Sequence, residues 1–132
     1  MSIEPTAEQF DRLATSDHAG PIVMLNLLRF KERADGVDAE DGISGAEAYA
    51  RYGAAVLSHL ERVGGRVLLA LSPQECVIGP FEGEWDMVVA AEYPSRKAFL
   101  EMTSDPGYLE VHGHRAAALA DSRLIACTSL GG

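Results

Sequence analysis

Several things are scarce in this chain, and each scarcity removes a class of function. Cysteine occurs only at Cys76 and Cys127, far apart and in no C-x-x-C spacing. The two therefore read as buried, reduced thiols that behave as small hydrophobes. Basic residues are few: 11 Lys and Arg stand against 20 Asp and Glu, for a net charge of −9. They form no stripe, and phosphate neutralisation needs one, so no nucleic-acid partner is expected. The same deficit argues against docking on an anionic membrane surface, and the acidity is read as solubility. No apolar run approaches the length of a bilayer span. The opening MSIEPTAEQF lacks a basic region leading into an apolar stretch. No secretory signal is expected there, and the expected location is the cytoplasm. There is no G-x-S-x-G, and the glycine pair in HLERVGGRVLLAL follows a helix rather than a strand, which is the wrong context for a phosphate loop.

What is present describes one domain, residues 1–132, with enough apolar sequence for a single core (47% hydrophobic, 23% charged). PTAEQFDRLATSD pairs Thr6 with Gln9 as a capping box and predicts an N-terminal helix. PIVMLNLLRF, residues 21–30, is nearly continuous apolar sequence and predicts a strand buried on both faces. The acidic stretch after it, with Asp35, Asp38, Glu40 and Asp41, does not match a calcium loop and reads as a solvated loop. Ser44 and Glu47 form a second capping box. Behind it, Tyr49, Tyr52, Val56, Leu60 and Val63 recur along one helical face until Gly64 and Gly65 stop it. His59, at the edge of that stripe, reads as structural. Strands follow at residues 66–72 and 84–93, with ECVIGP as a short strand piece between them. Ser95 caps a helix over RKAFLEMTS, DPGYLEVHGHRAAALA holds one or two further helical turns, and DSRLIACTSL closes as a fourth strand. Without its first helix, this order is the split βαβ of ferredoxin-like folds, an α+β βαββαβ arrangement with a four-stranded antiparallel sheet.

Both faces of that sheet read as apolar. Ile22, Met24, Leu28 and Phe30 oppose Val23, Leu25 and Leu27. Val67, Leu69 and Leu71 oppose Leu68 and Ala70, and Trp85, Met87, Val89, Ala91 and Tyr93 oppose Val88 and Ala90. Two main helices cover only one face, so a second copy by two-fold symmetry is the expected cover for the other. Asn26 and Asp86 interrupt these apolar strands. A buried polar group without a partner costs about 1–3 kcal/mol. Each therefore pairs at a strand end or dimer contact, or points into a pocket, and together they mark the pocket candidates.

MLNLLRF, SGAEAYARY, VIGP, WDMVVAAEYPSRKAF, DPGYLEVHGHR and ALADSRLI, in that order, resemble the domain-of-unknown-function family thirteen-thirty. The likeness runs from Pro21 to Ala126. It implies a dimeric α+β barrel, in agreement with the face count. That superfamily also holds small-molecule monooxygenases, isomerases, lactone-handling enzymes and haem-degrading proteins. The family has no agreed activity, so the resemblance implies a fold rather than a chemistry. Carried over by position, its polar set is Asn26, Trp85, Asp86, Tyr108, His114, Arg115, Asp121 and Arg123, with His112 outside it.

His112 and His114 lie two residues apart in YLEVHGHRAAAL. On a continuous helix they diverge by about 200° and cannot share a metal. Pro106 and the alanine run argue against a strand. Gly113 is expected to break the segment and to place His114 near a helix N-terminus, where the dipole favours a neutral ring. Beyond this pair only His18 and His59 remain, so no metal is assigned. No cofactor is assigned either; haem would need His59 or His114 facing an apolar cavity. A structural His114, tied to backbone or to a partner-chain carboxylate, stands beside a site role.

The functional expectation is a cofactor-independent small-molecule enzyme of proton-transfer, isomerase or monooxygenase type. Asp86 or His114 would move the proton. Asn26 and Arg115 would hold a carbonyl or carboxylate, and Trp85 and Tyr108 would wall the pocket. The alternative is a non-catalytic ligand-binding or structural homodimer, in which the polar groups set register and partner choice.

Overall fold

The computed structural model describes residues 1–80 and 85–131. Helix α1 spans Ala7–Thr15, and Thr6 and Gln9 exchange the two bonds of the capping box (3.1 and 2.9 Å). Strand β1 is Ile22–Phe30, and α2 is Gly45–Arg62, started by the reciprocal pair Ser44 and Glu47 (3.0 and 3.1 Å). Strands β2 (Arg66–Leu71) and β3 (Met87–Tyr93) follow. The start expected for β3, Glu84, lies outside the described residues. Helix α3 is Arg96–Ser104 behind its Ser95 cap, α4 is Pro106–Ala118 and β4 is Leu119–Cys127. No helix among the described residues is long and apolar enough to cross a membrane.

The strands form one antiparallel sheet in the order β2-β3-β1-β4. Both β1 and β2 run against β3, so α2 is the crossover of one parallel pair. Likewise α3 and α4 carry the chain from β3 to β4, which both run against β1. Crossovers of this kind share one hand, which brings both helical layers to the same face. The architecture is the expected α+β, ferredoxin-like one.

On the covered face, Ile22 and Leu28 have no exposed surface, and Met24, Ala91 and Tyr93 are buried with them under Tyr49, Tyr52, Leu60 and Met102. The opposite face carries Val23, Leu25 and Leu27 of β1, which pair with Cys127, Ile125 and Arg123 of β4. Val88 and Ala90 of β3 pair there with Leu71 and Leu69 of β2. Nothing among the described residues covers this second face. Leu69, Leu71 and Ile125 are 43%, 55% and 46% exposed on it. Around this apolar centre lie ion pairs, Arg66 with Glu92 at 3.2 Å and Arg123 with Asp121 at 2.9 Å.

Several expectations are corrected. A bulge in β2 takes Leu68 out of the ladder, so Val67 and Ala70 share the covered side while Leu69 and Leu71 face the bare one. Strict alternation assigns Val67 to the side of Leu69 because it cannot see the extra residue. ECVIGP is irregular and exposed rather than strand. Cys76 on it is exposed and Cys127 only half-buried, so neither is a core thiol. The acidic stretch is solvated at Asp35, Glu40 and Asp41 but is not a plain loop: Gly36–Asp41 forms a 3-10 helix with Asp38 only 1% exposed. Finally, α4 is thirteen continuous residues, and Gly113 does not break it. Glycine there admits Val37 of the 3-10 helix, whose methyl would lie 3.3 Å from an added Cβ.

Candidate functional site

A cavity of about 1030 Å3 opens between the covered face of the sheet, the helices and the N-terminal segment. Its floor includes Met24 and Asn26 of β1 and Met87 and Val89 of β3. Asn26 reaches it because it shares the parity of Ile22, Met24 and Leu28. Its Nδ2 donates to the carbonyls of Met24 and Val89, both at 3.3 Å. Among the described residues, Oδ1 is left to accept a bond from a ligand.

The helices bring three polar groups to the wall, and the N-terminal segment adds a fourth. Tyr52 lies in the apolar stripe of α2, and Tyr108 and His112 are one turn apart on α4. The Tyr52 and Tyr108 hydroxyls are 2.9 Å apart and buried. Tyr108 Oη is 3.4 Å from His112 Nδ1, and His112 Nε2 is 2.6 Å from Glu4 Oε1. The ionised carboxylate can only accept, so Nε2 carries the proton. In the neutral ring Nδ1 is then the acceptor for the Tyr108 hydroxyl, which in turn accepts from Tyr52. Burial raises both tyrosine hydroxyls above their ordinary range, so both keep their protons and can serve as donors in the chain.

Arg115, one turn beyond His112, is 8% exposed and lines the same cavity. Its Nη1 donates to the Ile3 carbonyl at 3.1 Å. Among the described residues no carboxylate pairs with it. A guanidinium stays charged in proteins, and a buried charge without a counter-ion is costly. Burial raises Tyr49, and the Arg115 charge and hydrogen bond oppose that rise. The walls therefore combine the buried Arg115 cation, the rim residues Arg12 and Arg96, neutral phenols and apolar side chains such as Met102, Phe99 and Val56.

Of the residues chosen from sequence, Asn26, Tyr108 and Arg115 meet at this cavity. Asp86, His114 and Trp85 do not. Asp86 closes the end of the β1–β3 ladder: its amide donates to the Leu28 carbonyl at 2.7 Å, and its Oδ2 accepts from the Phe30 amide at 2.8 Å. A carboxylate held by backbone and exposed at a strand end is no buried base. His114 points the other way around α4, where its Nδ1 meets Asp38 Oδ2 at 2.9 Å. Arg51 binds the same carboxylate at 2.8 Å. Burial alone would raise Asp38, but the bonds from His114 and Arg51 outweigh it and hold the carboxyl below its ordinary range. The expected helix N-terminus at His114 is absent because α4 runs through it. Trp85 stacks on Arg123, 5.4 Å from ring centre to guanidinium, at the rim of the bare face. Neither His59 nor His114, the two haem candidates, lines the cavity.

Sequence reasoning missed Tyr52, His112 and Glu4. The Tyr108–His112 spacing of four on a helix was a usable signal. Tyr52 was hidden by an apolar stripe that it also serves. Glu4 had no signal, since its partner is 108 residues away.

The model of the domain of unknown function DUF1330 matches residues 39–128. No curated protein matches the chain. Among solved structures, a protein of unknown function from Rhodopseudomonas palustris is 45% identical, covers 98% of each chain and superposes with a TM-score of 0.90. A dimeric protein of unknown function and ferredoxin-like fold from Bacteroides fragilis is 9% identical over 81% of this chain and 94% of its own, with a TM-score of 0.53. SnoaB, a cofactor-independent oxygenase from Streptomyces nogalater, is 18% identical over 86% of this chain and 97% of its own, with a TM-score of 0.51. The last two likenesses concern the fold alone. With the family pattern across most of its length and a 45%-identical relative over nearly all of it, the chain belongs to the DUF1330 family, built on a ferredoxin-like α+β fold.

Proposed function

We propose that this protein is a cofactor-independent enzyme that moves a proton on a small organic acid or carbonyl compound bound in the covered-face cavity. The observation that carries the proposal is the Tyr108–His112–Glu4 chain beside Arg115, which pairs with no carboxylate among the described residues. Tyr108 gives its hydroxyl proton to His112 Nδ1 as its oxygen takes a proton from a carbon next to a carbonyl. The C–H electron pair moves into the carbonyl and forms an enolate. Arg115 holds the enolate oxygen or a neighbouring carboxylate, and Asn26 Oδ1 accepts from a ligand hydroxyl. Return of a proton from His112 through Tyr108 to the same carbon exchanges its hydrogen with solvent, and where a neighbouring C=C extends the enolate to a dienolate, return to the far carbon isomerises the substrate; either restores the enzyme. The SnoaB fold likeness is compatible with this reading without specifying it.

The bare sheet face supports a second part of the proposal: the working form is a homodimer that pairs these faces. Its apolar centre and ion-paired rim have the composition of a protein interface. The Bacteroides fragilis protein of the same fold is described as dimeric.

The test is deuterium uptake from D2O, followed by proton NMR, across a panel of α-keto acids and 1,3-dicarbonyl acids. The wild-type protein accelerates exchange of at least one member. Tyr108→Phe still binds that member but loses exchange about 100-fold or more, the usual contribution of a positioned acid–base group. Binding with exchange no faster than in buffer would sink the catalytic reading and leave a ligand-binding dimer.

A further inference from the structure

We infer that Glu4 is a positioning residue for this site and that the N-terminal segment, ahead of the family-matched residues 39–128, is a working part of it. The inference rests on the relay proposed above for the role of His112, and on independent geometry for the role of Glu4.

Successive residues at the N-terminus tie into groups more than a hundred positions away. The Ser2 amide donates to Asp121 Oδ1 at 2.8 Å, and the Ser2 carbonyl accepts from Ser122 Oγ at 2.7 Å. The Ile3 carbonyl takes the bond from Arg115 at 3.1 Å, and Glu4 takes the bond from His112 at 2.6 Å. Ile3 also packs against the main core. Helix α1, directly after this strap, buries no residue. The strap is thus held firmly just where it meets the two cavity side chains that carry or accept charge, while the helix behind it is loosely seated. Generic packing of a chain end would bury side chains along α1 instead.

The carboxylate has two effects on His112. It keeps the proton on Nε2, which leaves the Nδ1 lone pair facing the Tyr108 hydroxyl. It also stabilises the imidazolium formed when Nδ1 takes that proton, the same logic by which a carboxylate orients the histidine of a hydrolase triad. Glu4 is 52% exposed, so its effect is expected to be smaller than that of a buried triad carboxylate.

The experiment is imidazole nitrogen-15 NMR on the full chain without ligand, at about pH 8, above the ordinary imidazole range. Loss of signals in His112→Gln assigns the ring. Wild-type His112 shows one tautomer, protonated at Nε2. Glu4→Ala shifts the ring nitrogens toward a mixed tautomer, with the fold intact by circular dichroism. In the exchange assay, Glu4→Ala lowers kcat about 10- to 100-fold with KM little changed. Glu4→Gln keeps the Nε2 tautomer, because its amide oxygen still accepts, but loses most of the rate. Unchanged His112 nitrogens in Glu4→Ala overturn the inference, as does a shifted tautomer with undiminished kcat. Should the wild-type protein exchange nothing, the proton-transfer reading fails by itself, and the tautomer measurement still decides whether Glu4 sets the state of His112.

Discussion

The two faces of the sheet are built from the same strands and carry similar apolar side chains, yet they have opposite fates. Leu28 and Leu25 lie three residues apart on β1. Leu28 is sealed beneath the helices, while Leu25 belongs to a face that no described residue covers. The difference is not one of hydrophobicity. It arises because both crossovers deposit their helices on one side. The covered face could therefore become irregular and polar in places, with a cavity, an asparagine and a buried arginine. The bare face stayed apolar at its centre, with ion pairs at the rim. Helices can bridge over a hole, whereas the proposed pairing of bare faces calls for a complementary surface.

The comparison can be broken most severely from the covered side. Leu28→Ala should lower unfolding free energy by about 2–5 kcal/mol in urea titrations, as a fully buried leucine leaves a void. From the bare side, Leu25→Lys should leave the secondary structure by circular dichroism unchanged but reduce the sedimenting species to a single chain. A mutant that sediments like wild type would show that this face is not the interface. His114→Ala comes next. It removes one of two partners of the buried Asp38 and should cost about 1–3 kcal/mol. Exchange activity at the cavity should remain, because His114 faces away from it. The smallest effect is a pH response of the strap. The Ser2 amide first, then Arg123 and the Ser122 amide, outweigh the opposing effect of burial and hold the Asp121 carboxyl down at about 2, from an ordinary 3.8. A lowered folded value means that the stabilisation is complete above the unfolded value and is lost as pH falls through the folded one. The Ser2 amide should therefore lose hydrogen-exchange protection between pH 3.8 and about 2, and not between neutrality and 3.8.

Legibility followed the range of the interactions. The caps at Thr6, Ser44 and Ser95 depend on residues three apart, and all were readable. The face of Asn26 was only half legible: parity groups it with Ile22 and Leu28, but with both faces apolar nothing local says that theirs is the covered one. The bulge at Leu68 was not, because an extra residue leaves no mark on composition. His114 attracted a catalytic reading because a histidine beside an arginine in a helix looks functional in one dimension. Its partner Asp38 is 76 positions away, in a segment whose acidity suggested only solvent.

Periodicity and capping chemistry by themselves determined the order of the main helices and strands, the antiparallel α+β class and the fact that both sheet faces are apolar. These are properties of neighbours along the chain, where 2.0- and 3.6-residue periods report directly on which side chains share a face. Only the tertiary structure decided which apolar face was covered and which histidine met the cavity. It also brought Glu4 to His112 and, among the described residues, left Arg115 without a carboxylate. Those outcomes depend on contacts between residues far apart in sequence, and no local pattern records where a distant side chain will arrive.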